Sequence, residues 1–250
     1  MTTTLDLTSF KALSFDCYGT LIDWEAGIGE VISGWAAEQG LNLTTEELLL
    51  AYADNEAAVE RETPTALYPD VLAEALRRTG NVLCKPVSDA WAARLGGSMP
   101  DWPAFPDSAE ALARLAQRYK LIILSNVHRD GFAGSNQRLR GDFAAIITAE
   151  DVGGYKPAAN HFRALDTTLP KLGVARTELL HVAQSLFHDH VPAKREGLPS
   201  VWINRRHAQP GWGATPEPAE EWSFNLEFTS MAAFADAVDA AFAAAARPTD

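Results

Sequence analysis

A Rossmann-like α/β fold, a parallel sheet carrying an inserted helical cap domain, follows from three observations on this 250-residue chain. Short β-rich runs at 12–15, 121–124, 145–148, 179–183 and 200–203 alternate with longer helical patterns, as in a parallel sheet with crossover helices. The first two runs are separated by far more chain than one crossover uses, and that interval is itself helical in pattern. Polar residues also collect just past the ends of the runs, where open parallel sheets bind their ligands: Asp16, Ser125 with Asn126, and Gln184 onward.

The first run, Leu13-Ser14-Phe15, ends on Asp16 and opens into Cys17-Tyr18-Gly19-Thr20. A carboxylate where a buried strand meets a Gly-containing turn suits a nucleophile, the competing reading being an aspartate that caps its own turn. Helical patterns then occupy 26–38, 45–62, 70–79 and 87–96, with Thr44 and Glu47 as a capping box before the second. We read residues 24–100 as the helical cap, and 1–23 with 101–250 as the catalytic core. Pro100, Pro103 and Pro106, close in sequence to Trp91 and Trp102, mark a stiff return to that core. Run 121–124 delivers Ser125 and Asn126, and Gly153-Gly154-Tyr155-Lys156-Pro157 forms a Gly-Pro turn bearing a lysine. The run ending at Gln184 is followed by Ser185-Leu186-Phe187-His188-Asp189. An Ala-rich stretch over 230–246 reads as a closing helix with Ser230 as its N-cap.

At 47% hydrophobic residues the chain can bury a full α/β core and a second small domain. A formal charge of −12, from 33 acidic and 21 basic residues, provides no basic stripe for nucleic acid and disfavours anionic membrane surfaces. Two cysteines, Cys17 and Cys84, do not make a disulfide framework. The N-terminal residues from Met1 to Asp6 lack a leader pattern and no run approaches a membrane span, so the cytoplasm is the simplest expected compartment.

Four segments in this order resemble the motifs of the haloacid dehalogenase superfamily. Asp16 and Thr20 match its nucleophile motif, Ser125 with Asn126 its second motif, Lys156 its third, and the segment from Gln184 to Asp189 its fourth. Superfamily phosphatases carry a general-acid aspartate two residues after the nucleophile and another where Gln184 stands, the latter for magnesium. Tyr18 and Gln184 replace them here, and an amide is a poor ligand for a hard cation. The resemblance therefore implies the 2-haloacid dehalogenase branch, with no metal and no cofactor. It implies that Asp16 attacks a small carboxylic acid and forms an ester, while Lys156 balances charge and Asp189 helps water to hydrolyse the ester. Cys17, Tyr18, Trp24, Ser125, Asn126, Gln184 and Ser185 are its expected substrate contacts, with Ser125 and nearby amides on the carboxylate and Asn126 toward the leaving group. A homodimer through cap and core surfaces is the assembly such relatives suggest.

Two departures qualify the branch. L-2-haloacid dehalogenases place a halide-clamping arginine early in the second cap helix, where this chain reads Leu50-Ala51-Tyr52-Ala53-Asp54-Asn55-Glu56. Arg61 is the nearest cation, and a solvent-facing pair with Glu60 or Glu62 competes with a clamping role. Phe162 also replaces an expected pocket tyrosine. The segments Phe15 to Glu25, Ser185 to His190, Arg205-Arg206-His207 and Gly211-Trp212-Gly213-Ala214-Thr215 resemble the azetidine-2-carboxylate hydrolase branch, which opens a strained ring by the same displacement. There Glu56 would receive the ring ammonium, a solvated helix face being the alternative. Trp24 reads as pocket wall or joint packing, His188 and His190 as scaffold beside Asp189, and the 205–207 segment as an active-site flap or a solvated loop.

Overall fold

The computed structural model describes residues 5–209, 211–218 and 220–247, so Met1 to Thr4 of the N-terminal reading lie outside the described residues. Six strands form one parallel sheet in the order β3-β2-β1-β4-β5-β6. They are β1 Ala12–Phe15, β2 Lys120–Ser125, β3 Phe143–Thr148, β4 Leu179–Ala183, β5 Ser200–Ile203 and β6 Leu226–Phe228. Every residue of β1 and β4 is buried, as a strand covered on both faces requires. Alternation divides the core. Leu13, Phe15, Leu121 and Ile123 pack toward α5 (Ser108–Leu115) and α10 (Met231–Ala245), whereas Ala12, Ile122 and Leu124 pack toward α8 (Asn160–Thr168).

The five expected strands are present. The sixth, β6, was not foreseen, because three residues with half-exposed side chains leave neither an apolar run nor a clear alternation. Between β1 and β2 the chain forms α1 (Trp24–Glu38), α2 (Thr45–Glu62), α3 (Tyr68–Val82) and α4 (Asp89–Gly96), which pack on one another. Asp23 caps α1 by accepting from Ala26 N at 3.1 Å, and Thr44 with Glu47 forms the capping box of α2. The α3 helix starts earlier than expected because Pro69 falls in its first turn, where a missing N–H costs nothing.

Trp102, on the return from the helical insertion, is the joint. Its indole donates to Ser98 Oγ at 2.9 Å and meets the rings of Tyr18 and Tyr68 edge-on at 5.6 and 6.4 Å. Gly27 of α1 leaves room for it: an added Cβ would lie 2.2 Å from the indole. Among the described residues no helix is long and apolar enough to cross a membrane.

Because overpacking a buried joint cannot relax without moving a ring, Gly27→Ala is expected to lower stability by about 1–3 kcal/mol. A reduced urea midpoint, with loss of near-ultraviolet tryptophan signal ahead of global unfolding, is the expected measurement.

Candidate active site

Asp16 leaves the C-terminal end of β1 with its amide donating to Val182 O of β4 at 3.1 Å. Both carboxylate oxygens are then held, Oδ1 by Lys156 Nζ at 2.9 Å and Oδ2 by Thr20 Oγ1 at 2.7 Å. Lys156 Nζ also donates to Asp189 Oδ1 at 2.8 Å and to Leu124 O at 2.8 Å, which uses its three protons. Thr20 Oγ1 accepts from Gln184 N at 2.9 Å, so one hydroxyl ties the loop after β1 to the loop after β4. Gly19 sits at φ +95°, and a Cβ there would lie 2.9 Å from Gln184 Oε1.

This constellation floors a cavity of about 50 Å³. At roughly 10–15 Å³ per water, only a small molecule fits without opening it. Asp16, Lys156 and Asp189 line the cavity, as do Tyr18, Trp24, Asn126, Gln184 and Ser185 among the expected contacts. The remaining three expected residues are not in its lining. Thr20 stands behind Asp16, and the Cys17 thiol is buried, its pKa pushed up by burial and then by the Asp16 charge. Ser125 is also buried, with an Oγ that has no partner among the described residues. The amides of Cys17 and Tyr18 likewise have no acceptor among those residues.

Asn126 is engaged differently from the expected leaving-group contact. Its Oδ1 accepts from Lys156 N at 2.6 Å and its Nδ2 donates to Lys156 O at 3.1 Å, so the amide clasps the lysine loop. Tyr18 is anchored outward, its hydroxyl 2.8 Å from Ser135 Oγ. Ser185 Oγ accepts from His188 N at 2.9 Å and caps the turn that carries Asp189.

His190 contacts Ser200 Oγ and Ala183 O, a scaffold role, and burial pushes it down to about 4. The histidine that reaches Asp189 is instead His181 of β4, with Nε2 3.1 Å from Oδ1 and Nδ1 2.9 Å from Ser14 Oγ. Sequence reading passed over it because it sits inside an apolar run; the available signal was a polar residue in register with Ser14. Thr215 of the cavity wall belongs to the segment from Gly211 that resembles the azetidine-2-carboxylate hydrolase branch, whereas Tyr68 was missed.

The helix α2 departs most from expectation. Glu56 is 8% and Glu60 7% exposed, both in the cavity wall, so neither forms a solvated helix face or a surface partner for Arg61. Arg61 is exposed and lines a neighbouring cavity with Tyr155 and Pro157, while Glu62 pairs with Arg78 at 2.8 Å. The 205–207 segment is not a solvated loop. Arg205 donates to Thr20 O at 2.8 Å, pairs with Asp107 at 2.9 Å and lies 4.1 Å from the Phe105 ring centroid. Arg206 pairs with Glu25 and Glu46 of the helical insertion at 3.0 and 3.1 Å, whereas His207 is exposed.

Burial raises Asp16, with the Lys156 ammonium opposing it. At Asp189 burial is outweighed by Lys156 and His181, which hold the carboxyl below its usual range. The two aspartates titrate as one coupled unit around a shared ammonium. Burial pushes Glu56 up to about 7 and, with the Glu56 charge, pushes Glu60 well up. Among the described residues no group of three or more His, Cys, Asp or Glu converges to hold a metal. Magnesium favours charged oxygen ligands, and the residue beside Asp16 and Asp189 that would complete such a set is the neutral amide of Gln184, a poor fit for that ion.

A model of haloacid dehalogenase-like hydrolases matches residues 10–182, which take in the first three motifs and stop within β4, just before the fourth. The chain belongs to that family. This hydrolase is 28% identical over 211 residues to the (S)-2-haloacid dehalogenase of Pseudomonas sp. (strain YL), covering 78% of this chain and 83% of that one. Its fold matches the L-2-haloacid dehalogenase of Xanthobacter autotrophicus with a TM-score of 0.73 at 19% identity, over 92% of this chain and 98% of that one. The L-2-haloacid dehalogenase RSc1362 gives a TM-score of 0.74 at 24% identity, over 92% and 99%.

Removing Lys156 would leave two buried carboxylates uncompensated. Lys156→Met is expected to cost about 3–5 kcal/mol in urea unfolding. The raised Glu56 makes the folded state hold a proton that the unfolded chain releases above its ordinary value of 4.5, so stability falls as pH rises from there toward 7. The depressed Asp189 acts oppositely and loses its contribution only in strong acid. The urea midpoint is therefore expected to be highest near pH 4.5 and to decline toward about pH 7, and Glu56→Gln should flatten that decline.

Proposed function

We propose that this hydrolase acts on small 2-substituted carboxylic acids by two displacements, without a metal, and that its first reading is dehalogenation of a 2-haloacid to a 2-hydroxy acid. The observation that carries the reading is Asp16 held by Lys156 and Thr20 at the floor of a small cavity, with Tyr18 where a general acid would stand. Residues 24–100 serve as cap in this reading, and 1–23 with 101–250 as core.

In the first displacement an Asp16 oxygen attacks the α-carbon opposite the leaving group, which departs with the bonding pair. A halide needs no proton, so the missing acid is no handicap. The unpartnered Ser125 hydroxyl and the Cys17 and Tyr18 amides supply donors for the substrate carboxylate. Water then adds to the carbonyl of the Asp16 ester and the hydroxy acid leaves. The partnerless Asp189 Oδ2 is an acceptor that orients this water, although a carboxyl held so low is a weak base. Collapse leaves the proton on the Asp16 carboxyl, which its raised pKa accommodates until release.

The second reading is ring opening of azetidine-2-carboxylate by the same attack, the ring nitrogen leaving in place of halide. It is favoured by one observation: Lys156 is the single cation among the described residues of the cavity wall apart from His188, which burial pushes down to about 4 and keeps neutral. No arginine is present there to receive a halide.

Chelator-treated protein is expected to release chloride from L-2-chloropropionate, or to open L-azetidine-2-carboxylate, and added magnesium is expected to change neither rate. Asp16→Asn should abolish both reactions. Single turnover in heavy-oxygen water should label the Asp16 carboxylate; label appearing only in the product would remove the ester from the mechanism.

A further inference from the structure

The cavity is over-supplied with negative charge on the side away from the nucleophile. Asp16, Glu56, Glu60 and Asp189 all line it, and Lys156 is already committed to the two aspartates. Glu56 Oε1 accepts from Tyr68 at 2.8 Å and from Tyr52 at 3.2 Å, and Glu60 Oε1 has a single long contact of 3.5 Å from Asn126. Among the described residues neither Oε2 has a hydrogen-bond partner or a counter-ion, although both side chains are more than nine-tenths buried. Glu56 and Glu60 are one helical turn apart on α2, so both project to the same face. The aromatic rings of Tyr18, Trp24 and Tyr68 complete the wall.

Buried carboxylates without a counter-ion together with aromatic faces form a receptor for a positive charge. Resting on the hydrolase reading above, we infer that Glu56 and Glu60, with Tyr18, Trp24 and Tyr68, bind a protonated amine on the substrate, so that the preferred substrates are zwitterionic amino-substituted carboxylic acids rather than simple anionic haloacids. The charge balance agrees. A simple haloacid brings one more negative charge into a cavity already in surplus, whereas a zwitterion enters neutral overall, its carboxylate at the Ser125 end and its ammonium at the Glu pair. The competing account is that the pair remains protonated whatever the substrate. The surroundings decide its charge: burial, and at Glu60 the neighbouring Glu56 charge, favour the protonated pair, whereas the Tyr68 and Tyr52 hydroxyls at Glu56 and Lys156 with Asn126 at Glu60 favour ionisation.

The test compares two product-like ligands that differ only in the amine, 2-hydroxybutyrate and 4-amino-2-hydroxybutyrate, by calorimetric titration of the wild-type protein. The amine is expected to tighten binding at least tenfold at pH 8. That advantage should shrink at pH 5.5, below the raised Glu56 value, and should disappear in the Glu56→Gln/Glu60→Gln protein. Either single Gln variant supplies the measurement if the double variant does not fold. Equal binding of the two ligands, tighter binding of 2-hydroxybutyrate, or binding of neither overturns the inference. A preference that persists in the Gln variants would also overturn it. Turnover of L-2-chlorobutyrate in the same preparation tests the hydrolase reading separately: chloride release without an amine preference sinks the receptor and leaves that reading standing.

Discussion

The buried Lys156 ammonium, shared between Asp16 and Asp189, is the interaction on which the rest of this structure depends. It brings together the ends of β1 and β4 and the loop after α7 (Ala149–Val152), three segments far apart in sequence. An isolated carboxylate in such a place would take up a proton, and an isolated ammonium would lose one. Together they remain charged, and each fixes the geometry of the others. Leu124 O occupies the third lysine proton, which joins β2 to the same node.

Support for that node is layered outward. Thr20 carries a hydrogen bond from Gln184 to Asp16, Asn126 clasps both backbone groups of Lys156, and His181 braces Asp189 from within β4. Arg205 holds the carbonyl of Thr20, and Arg206 continues to α1 and α2 through Glu25 and Glu46. The loop after β5 is thereby fastened both to the nucleophile turn and to the helical insertion, and it brings Thr215 to the cavity wall. A group held to a few tenths of an ångström by its neighbours loses less on reaching a reactive geometry, which gives such supporting bonds their value.

The two faces of the cavity answer different questions. In the proposed mechanism the sheet side carries the residues that make and break an ester, gathered around the Lys156 node. The α2 side carries Glu56 and Glu60 where the haloacid dehalogenase branch is expected to place a cation, and the sign of that wall bears on which substituent can be accommodated.

How much of this could be read in the chain depends on whether a feature is local. Strand ends, the Thr44–Glu47 capping box, the Ser230 cap and the order of the four motifs are encoded over a few neighbouring residues, and these were legible. Asp16 was legible from its strand-end position, and Lys156 and Asp189 from the resemblance of their segments to the superfamily motifs. Side-chain direction was not. Glu56 and Glu60 have the composition of a solvated face and are buried because α2 packs with that face over the sheet ends, and His181 reaches Asp189 because its register places it beside Ser14. The sequence by itself determined the fold class and marked the strand-end aspartate Asp16, because periodicity and turn chemistry act over short range. Only the tertiary structure decided the sign of charge facing the nucleophile and the bonds that hold it, because these depend on which way side chains point once distant segments meet.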